Sequence, residues 1–233
     1  MKIILLLLLA VTAAVLYRKW IARSRRQFLD QYRMPDAVVG RFRQKHPDLS
    51  SAQEALVREG LQQYFQICQR ARGRFVSMPS QVVDDLWHDF ILFTRYYRNF
   101  CAKAFGRFLH HTPVEAMPTP HLATAGIRRT WFHACHIEGI DPKQPSRLPL
   151  LFALDAQLGI AQGFFYTLNC ANTAISSSNT FCASSIGCGG SVSGCAGDTG
   201  AGYSGDGGSS GDGGSSSDGG GGCGSGCGGG GGD

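Results

Sequence analysis

Apolar residues run without a break from Ile3 to Tyr17 (IILLLLLAVTAAVLY), and only then does the chain mix apolar with polar positions. From Asp36 onward the apolar positions recur at helical spacing. Asp36–Lys45 reads as a short amphipathic helix stopped before Pro47. Ser51-Ala52-Gln53-Glu54 has the form of a capping box and opens a long helix to about Ala71, with Leu56, Leu61, Tyr64, Phe65 and Cys68 on one side. Gly73 is its stop. Pro79-Ser80 introduces the next helix, in which Val83, Leu86, Trp87, Phe90, Ile91, Thr94, Tyr97 and Cys101 keep the period and Gly106 is the cap. Thr119-Pro120 starts a third long helix to about Glu138, ended by Gly139 and Asp141-Pro142. Leu148–Leu158 is a last apolar helix carrying Asp155, too short and too interrupted to be a second membrane segment. Strand signals are scarce. The expectation is a mainly α protein with a compact helical bundle over residues 23–175, long enough for roughly one hydrophobic core.

The C-terminal third changes the picture. After Arg147 the only charged residues are aspartates, and from about Gly187 the chain consists largely of Gly, Ser, Cys and Asp. Such a segment lacks the apolar side chains that offset the entropy of ordering, so residues 176–233 are expected to form a disordered tail. The overall charge of +5 averages two unlike halves. Residues 1–147 hold all 22 basic residues and 11 of the 17 acidic ones, a net +11, while the remainder holds six aspartates. A basic domain beside a membrane suits anionic lipid head groups, nucleic acid or an acidic partner, and it equally suits a solvated surface that sets orientation.

Two readings of the N-terminus stand. A cleaved signal peptide would use Lys2 as its basic start and a small-residue site near Val11-Thr12-Ala13, giving a secreted product. An uncleaved signal anchor would occupy residues 1–22, contacting membrane lipid through residues 3–22. Arg18, Lys19, Arg23, Arg25 and Arg26 follow the run directly, and retained positive charge favours the anchor, single-pass, with the C-terminal domain cytoplasmic. In that compartment the tail cysteines Cys170, Cys182, Cys188, Cys195, Cys223 and Cys227 would be reduced thiols. Their spacing matches no common zinc pattern. Cys68, Cys101 and Cys135 sit singly within helical patterns and read as small buried hydrophobes.

The densest chemistry lies in Val82–Leu92 (VVDDLWHDFIL) and in His110-His111-Thr112-Pro113. Asp84 and His88 are one helical turn apart, as are Asp85 and His88, and a following histidine doublet can fold back on them. Asp84, His88, His110 and His111 are therefore candidate ligands for a divalent metal such as zinc or iron. His133 and His136, three apart on the next helix, are a weaker pair. The bland alternative makes Trp87 a core anchor, His88 a partner of Asp84, and His110 and His111 caps of a helix C-terminus.

The run VDDLWHDFILFTRYYRNFC, followed by FGRFLHHTP, resembles the signature of the glycine-rich domain-containing proteins, over roughly residues 75–115. The Val-Asp-x-x-Trp-His pattern matches at Val83, Asp84, Trp87 and His88; the histidine that the family commonly carries two positions later is Phe90 here. The resemblance implies no particular reaction, but it brings RNA binding, proposed for some members, as one expectation. No phosphate-binding loop, nucleophile elbow or His-Glu-x-x-His is present in the sequence. The first functional expectation is thus a membrane-anchored interaction or assembly module with an unidentified protein partner, with enzymatic activity left open. The second is a metal-dependent enzyme or metal-binding domain. The third is an RNA-binding protein.

Overall fold

The computed structural model describes residues 2–112, 120–168, 180–183 and 186. Seven α-helices and two short strands occur among them: α1 (Lys2–Gln31), α2 (Asp36–Lys45), α3 (Ser51–Arg70), α4 (Gln81–Leu92), α5 (Thr94–Ala104), α6 (Pro120–Glu138), α7 (Leu150–Leu158), β1 (Phe165–Thr167) and β2 (Thr180–Cys182). The protein is mainly helical, as its periodicity predicts.

α3 is the central element and packs against α1, α4, α6 and α7. Its buried stripe is Val57, Leu61, Tyr64, Phe65, Ile67 and Cys68. Leu56, expected on that stripe, is at the surface at 36% exposure. The capping box is shifted by one residue from the sequence reading: the cap is Ser50, whose side chain accepts from the Gln53 backbone N–H while the Gln53 side chain accepts from the Ser50 N–H at 2.9 Å. Gly60, midway along α3, permits a close approach of α7 and α4. A Cβ there would stand 2.5 Å from Leu154 of α7 and 3.0 Å from Val83 of α4.

The single long helix expected from Ser80 to Cys101 is two helices. The chain bends at Phe93 (φ −83°, ψ 62°), with no glycine or proline to mark the place. Packing sets the bend: Phe90 of α4 meets both Tyr97 and Phe100 of α5 at 5.2 Å between ring centroids. Phe65 and Tyr32 close on Phe100 at 4.8 and 4.6 Å. Each fully buried ring of this cluster contributes on the order of 2–3 kcal/mol by area removed from water. Gly106 and Gly139, read as caps, follow α5 and α6 with φ of +70° and +68°.

α1 is long and apolar enough to cross a membrane, a property that a signal sequence near an N-terminus shares. It runs past Ala22 without a break, and Leu29 is its buried residue. The last turn is tied to α3 by Gln62, whose amide donates to the Leu29 and Asp30 carbonyls at 2.7 and 2.9 Å. These carbonyls have no partner within the helix, so Gln62 acts as their cap.

β1 and β2 pair in parallel, with Tyr166 opposite Phe181. β2 and the buried Ala183 lie beyond residue 175, so the folded part extends further than the sequence boundary predicts. Cys182 is disulfide-bonded, while Cys68, Cys101 and Cys135 are free and buried. The disorder expected of the tail, and Cys170, Cys188, Cys195, Cys223 and Cys227, fall outside the described residues.

Candidate metal centre

The start of α4 is fixed from outside the helix. Ser80 is the N-cap and accepts from the Val83 N–H at 3.4 Å. The buried carboxylate of Asp155, on α7, accepts from the Ser80 hydroxyl and the Gln81 N–H at 2.7 Å each, from Val82 at 3.3 Å and from Phe164 at 2.8 Å. A carboxylate at a helix N-terminus suits both the free N–H groups and the helix dipole. From the sequence Asp155 reads only as an interruption of α7, because the three groups it binds at the start of α4 lie more than 70 residues away in the chain.

From that start, α4 sorts its acidic and aromatic residues by face. Val83, Leu86 and Phe90 enter the core. Asp89 is fully buried and meets Arg41 at 2.9 Å and Lys45 at 2.6 Å on α2. Asp85, which shares a turn with His88, turns to His46 at 3.2 Å instead. Asp84 and His88 remain on the side facing the α5–α6 connection. Phe90, at the position where a second histidine would follow, points into the aromatic core and away from Asp84 and His88.

The connection after α5 returns across α4 because Tyr97 holds it. The Tyr97 hydroxyl donates to the Leu109 carbonyl at 2.6 Å and accepts from the Trp87 indole N–H at 3.2 Å. Burial pushes the Tyr97 and Tyr64 phenols far above their ordinary range, so both remain donors. The Tyr64 hydroxyl donates to the Val76 carbonyl at 3.1 Å. Two residues past Leu109, the His111 ring stands edge-on to Trp87 at 4.6 Å.

The outcome is a cluster of three donors. His111 Nε2 lies 2.9 Å from Asp84 Oδ1, His88 Nδ1 lies 3.5 Å from Asp84 Oδ2, and the two imidazoles are 4.3 Å apart. One ligating atom from each residue falls within 4.8 Å of the others. Metal–ligand bonds of about 2.1 Å place neighbouring ligand atoms roughly 3–3.5 Å apart, so small side-chain adjustments would close this set on one ion. His110, read from the sequence as a fourth ligand, is not in the cluster; its ring packs against Phe108 at 4.9 Å. His133 and His136 flank Phe132 on α6 and do not join it either. Burial, then Arg70, Arg74 and His136, lowers the His133 pKa and favours its neutral form.

The cluster forms part of the wall of a cavity of about 450 Å³. Phe75, Met78, Phe108 and Phe164 supply apolar wall, and Gln81, Arg74 and Arg107 supply polar groups. Cys68 also borders it, but burial pushes its thiol up to about 12, so it is not a ready thiolate ligand. Three protein donors on one side of a cavity would leave further coordination positions for water or substrate, as catalytic metal sites do and closed structural ones do not. A zinc or ferrous ion so held would polarise a bound oxygen group.

No curated protein and no solved structure matches the chain. A family model does match, over residues 24–186, which takes in every helix after the apolar segment and all three clustered donors. By that match the chain belongs to the UCP032817-like family.

Proposed function

We propose that the chain is a membrane-anchored metal-binding domain whose ligands are Asp84, His88 and His111. The observation that carries the proposal is the convergence of these three donors on a polar-and-aromatic cavity. The Val83-Asp84-x-x-Trp87-His88 pattern, read as a resemblance to glycine-rich domain-containing proteins, then gains a physical rationale. Asp84 and His88 supply ligands, Val83 anchors the helix in the core, and Trp87 contacts the third ligand and the residue that holds its loop. The interaction-module and RNA-binding readings draw on charge and tail composition and gain no further support from the site.

The test is titration of chelator-treated full-length protein in detergent with Zn²⁺, and anaerobically with Fe²⁺. One site per chain is expected, abolished by His111→Ala and retained by His110→Ala. Affinity should fall as the pH is lowered, because imidazole must be neutral to ligate. Saturation at zero ions, or equal binding by wild type and His111→Ala, contradicts the proposal.

On compartment, two features point in different directions. The basic residues after the apolar run favour a cytoplasmic domain. The disulfide at Cys182 favours the oxidising side of the membrane. Labelling intact cells with a membrane-impermeant protein reagent separates them: a labelled domain supports the oxidising side, an unlabelled one the cytoplasm.

A further inference from the structure

Between α1 and the turns that follow α3 and α5 lies a groove of about 840 Å³. Arg18, Lys19 and Arg25 line it from α1, Arg72 from the α3–α4 turn, and Arg107 from the α5–α6 connection. Among the described residues that line it none is acidic, and none of the ion pairs between described residues engages these five cations. Cations gathered without a carboxylate repel one another, and an anion relieves that repulsion.

The backbone is adapted to this crowding. Gly73 (φ +90°) and Gly106 (φ +70°) both occupy the left-handed region. A Cβ at Gly73 would stand 3.1 Å from the Arg107 guanidinium, and one at Gly106 would run into that of Arg25. Each guanidinium therefore lies against a turn that only glycine leaves open. Arg72 also has a left-handed backbone (φ 51°), a conformation that disfavours a residue with a Cβ.

Position identifies the anion. Val15, on the apolar run of α1, and Ile21 line the same groove as the cations. If α1 crosses the membrane, the groove begins in the apolar zone and ends among the cations at head-group level. We propose that this groove binds the phosphate of an anionic phospholipid head group. The proposal rests on α1 being retained as a membrane-crossing helix and requires no metal at the Asp84–His88–His111 cluster, although Arg107 borders both cavities. Guanidinium groups suit this ligand because their paired N–H donors match phosphate oxygens.

The test compares thermal unfolding of the full chain in nanodiscs of phosphatidylcholine alone with that in discs also containing phosphatidylglycerol. Wild type should gain about 5 °C in the anionic discs, the shift expected for a ligand near saturation on a chain of this size. Arg25→Gln/Arg107→Gln should lose the gain, and the charge-matched control Arg95→Gln/Arg98→Gln, on the exposed side of α5, should keep it. If the first double variant does not fold, Arg72→Gln serves in its place and should lose a substantial part of the gain. Equal unfolding temperatures in the two discs overturn the site. So does a control that loses the gain as fully as the groove variant, because that marks general surface attraction. Inorganic phosphate that reproduces the gain in phosphatidylcholine discs overturns the lipid as the source. Release of the chain from both kinds of disc overturns the anchor reading and the site with it.

Discussion

Trp87 touches two different parts of the site: its ring meets His111 and its indole N–H reaches Tyr97, which in turn holds Leu109. Tyr97 is thus a positioning residue. Tyr97→Phe removes the hydroxyl at the centre of this chain and leaves the Leu109 carbonyl and the Trp87 N–H without that partner. A loss of about 1–2 kcal/mol in stability is expected, measured by urea unfolding. Metal affinity should fall by about tenfold in the same variant, since the loop bearing His111 loosens. Unchanged affinity would show that the loop is held by other contacts. At this scale Asp84 and His88 were legible, because a four-residue spacing on a helix places them on one face. Which member of the His110-His111 doublet joins them was not, because that depends on a hydrogen bond from Tyr97 to a backbone carbonyl. The turn of Asp85 toward His46 depends in the same way on a partner 39 residues distant.

Helix ends, not helix middles, are where the elements are fixed. Asp155 caps α4 from α7, and Glu138 does the same for α7, accepting from the Leu150 N–H at 2.6 Å and from Gln63 at 2.8 Å. Arg147 pairs with Glu138. Asp155→Ala leaves four buried or half-buried donors without their acceptor. It should lower stability by about 3 kcal/mol, read from the denaturation midpoint, and shift the start of α4 enough to weaken metal binding. A loss under about 0.5 kcal/mol would mean that water or another group replaces the carboxylate. Helix existence was readable from the period of apolar residues. The bend at Phe93 was not, since aromatic packing between α4, α5 and α3 imposes it rather than a local breaker. The capping box is legible in the sequence but its register is not, because Ser50 and Ser51 offer the same side chain and the reciprocal Gln53 bond decides between them.

The whole molecule joins an apolar N-terminal helix to a helical domain, and α1 continues into that domain as one helix up to Gln31. Several acids in the core are held protonated by burial. The Cys68 thiol is pushed from 9.0 to about 12, and the Tyr32 phenol from 10.0 to about 12. The unfolded chain would release these protons at lower pH than the folded one. Their contribution to stability is therefore complete below about pH 9 and is lost as the pH rises toward about 12. The unfolding temperature should fall between about pH 9 and pH 11, and a flat profile would show that these groups titrate alike in both states. Composition made the basic domain and the apolar leader legible. It did not show that the chain returns after residue 175 to form β2 on β1, because three residues of strand carry too little pattern to stand out from a Gly/Ser-rich surround.

Asp84, His88 and His111 are proposed to hold a metal ion. Elemental analysis of full-length protein purified in detergent without added metal, beside its His88→Ala and His110→Ala variants, tests this proposal most directly. Close to one zinc or iron per chain is expected in wild type and in His110→Ala, and almost none in His88→Ala. A folded wild-type protein without metal, or a His88→Ala variant that keeps its metal, would contradict it and leave Asp84, His88 and His111 as a hydrogen-bonded cluster that pins the α5–α6 connection to α4.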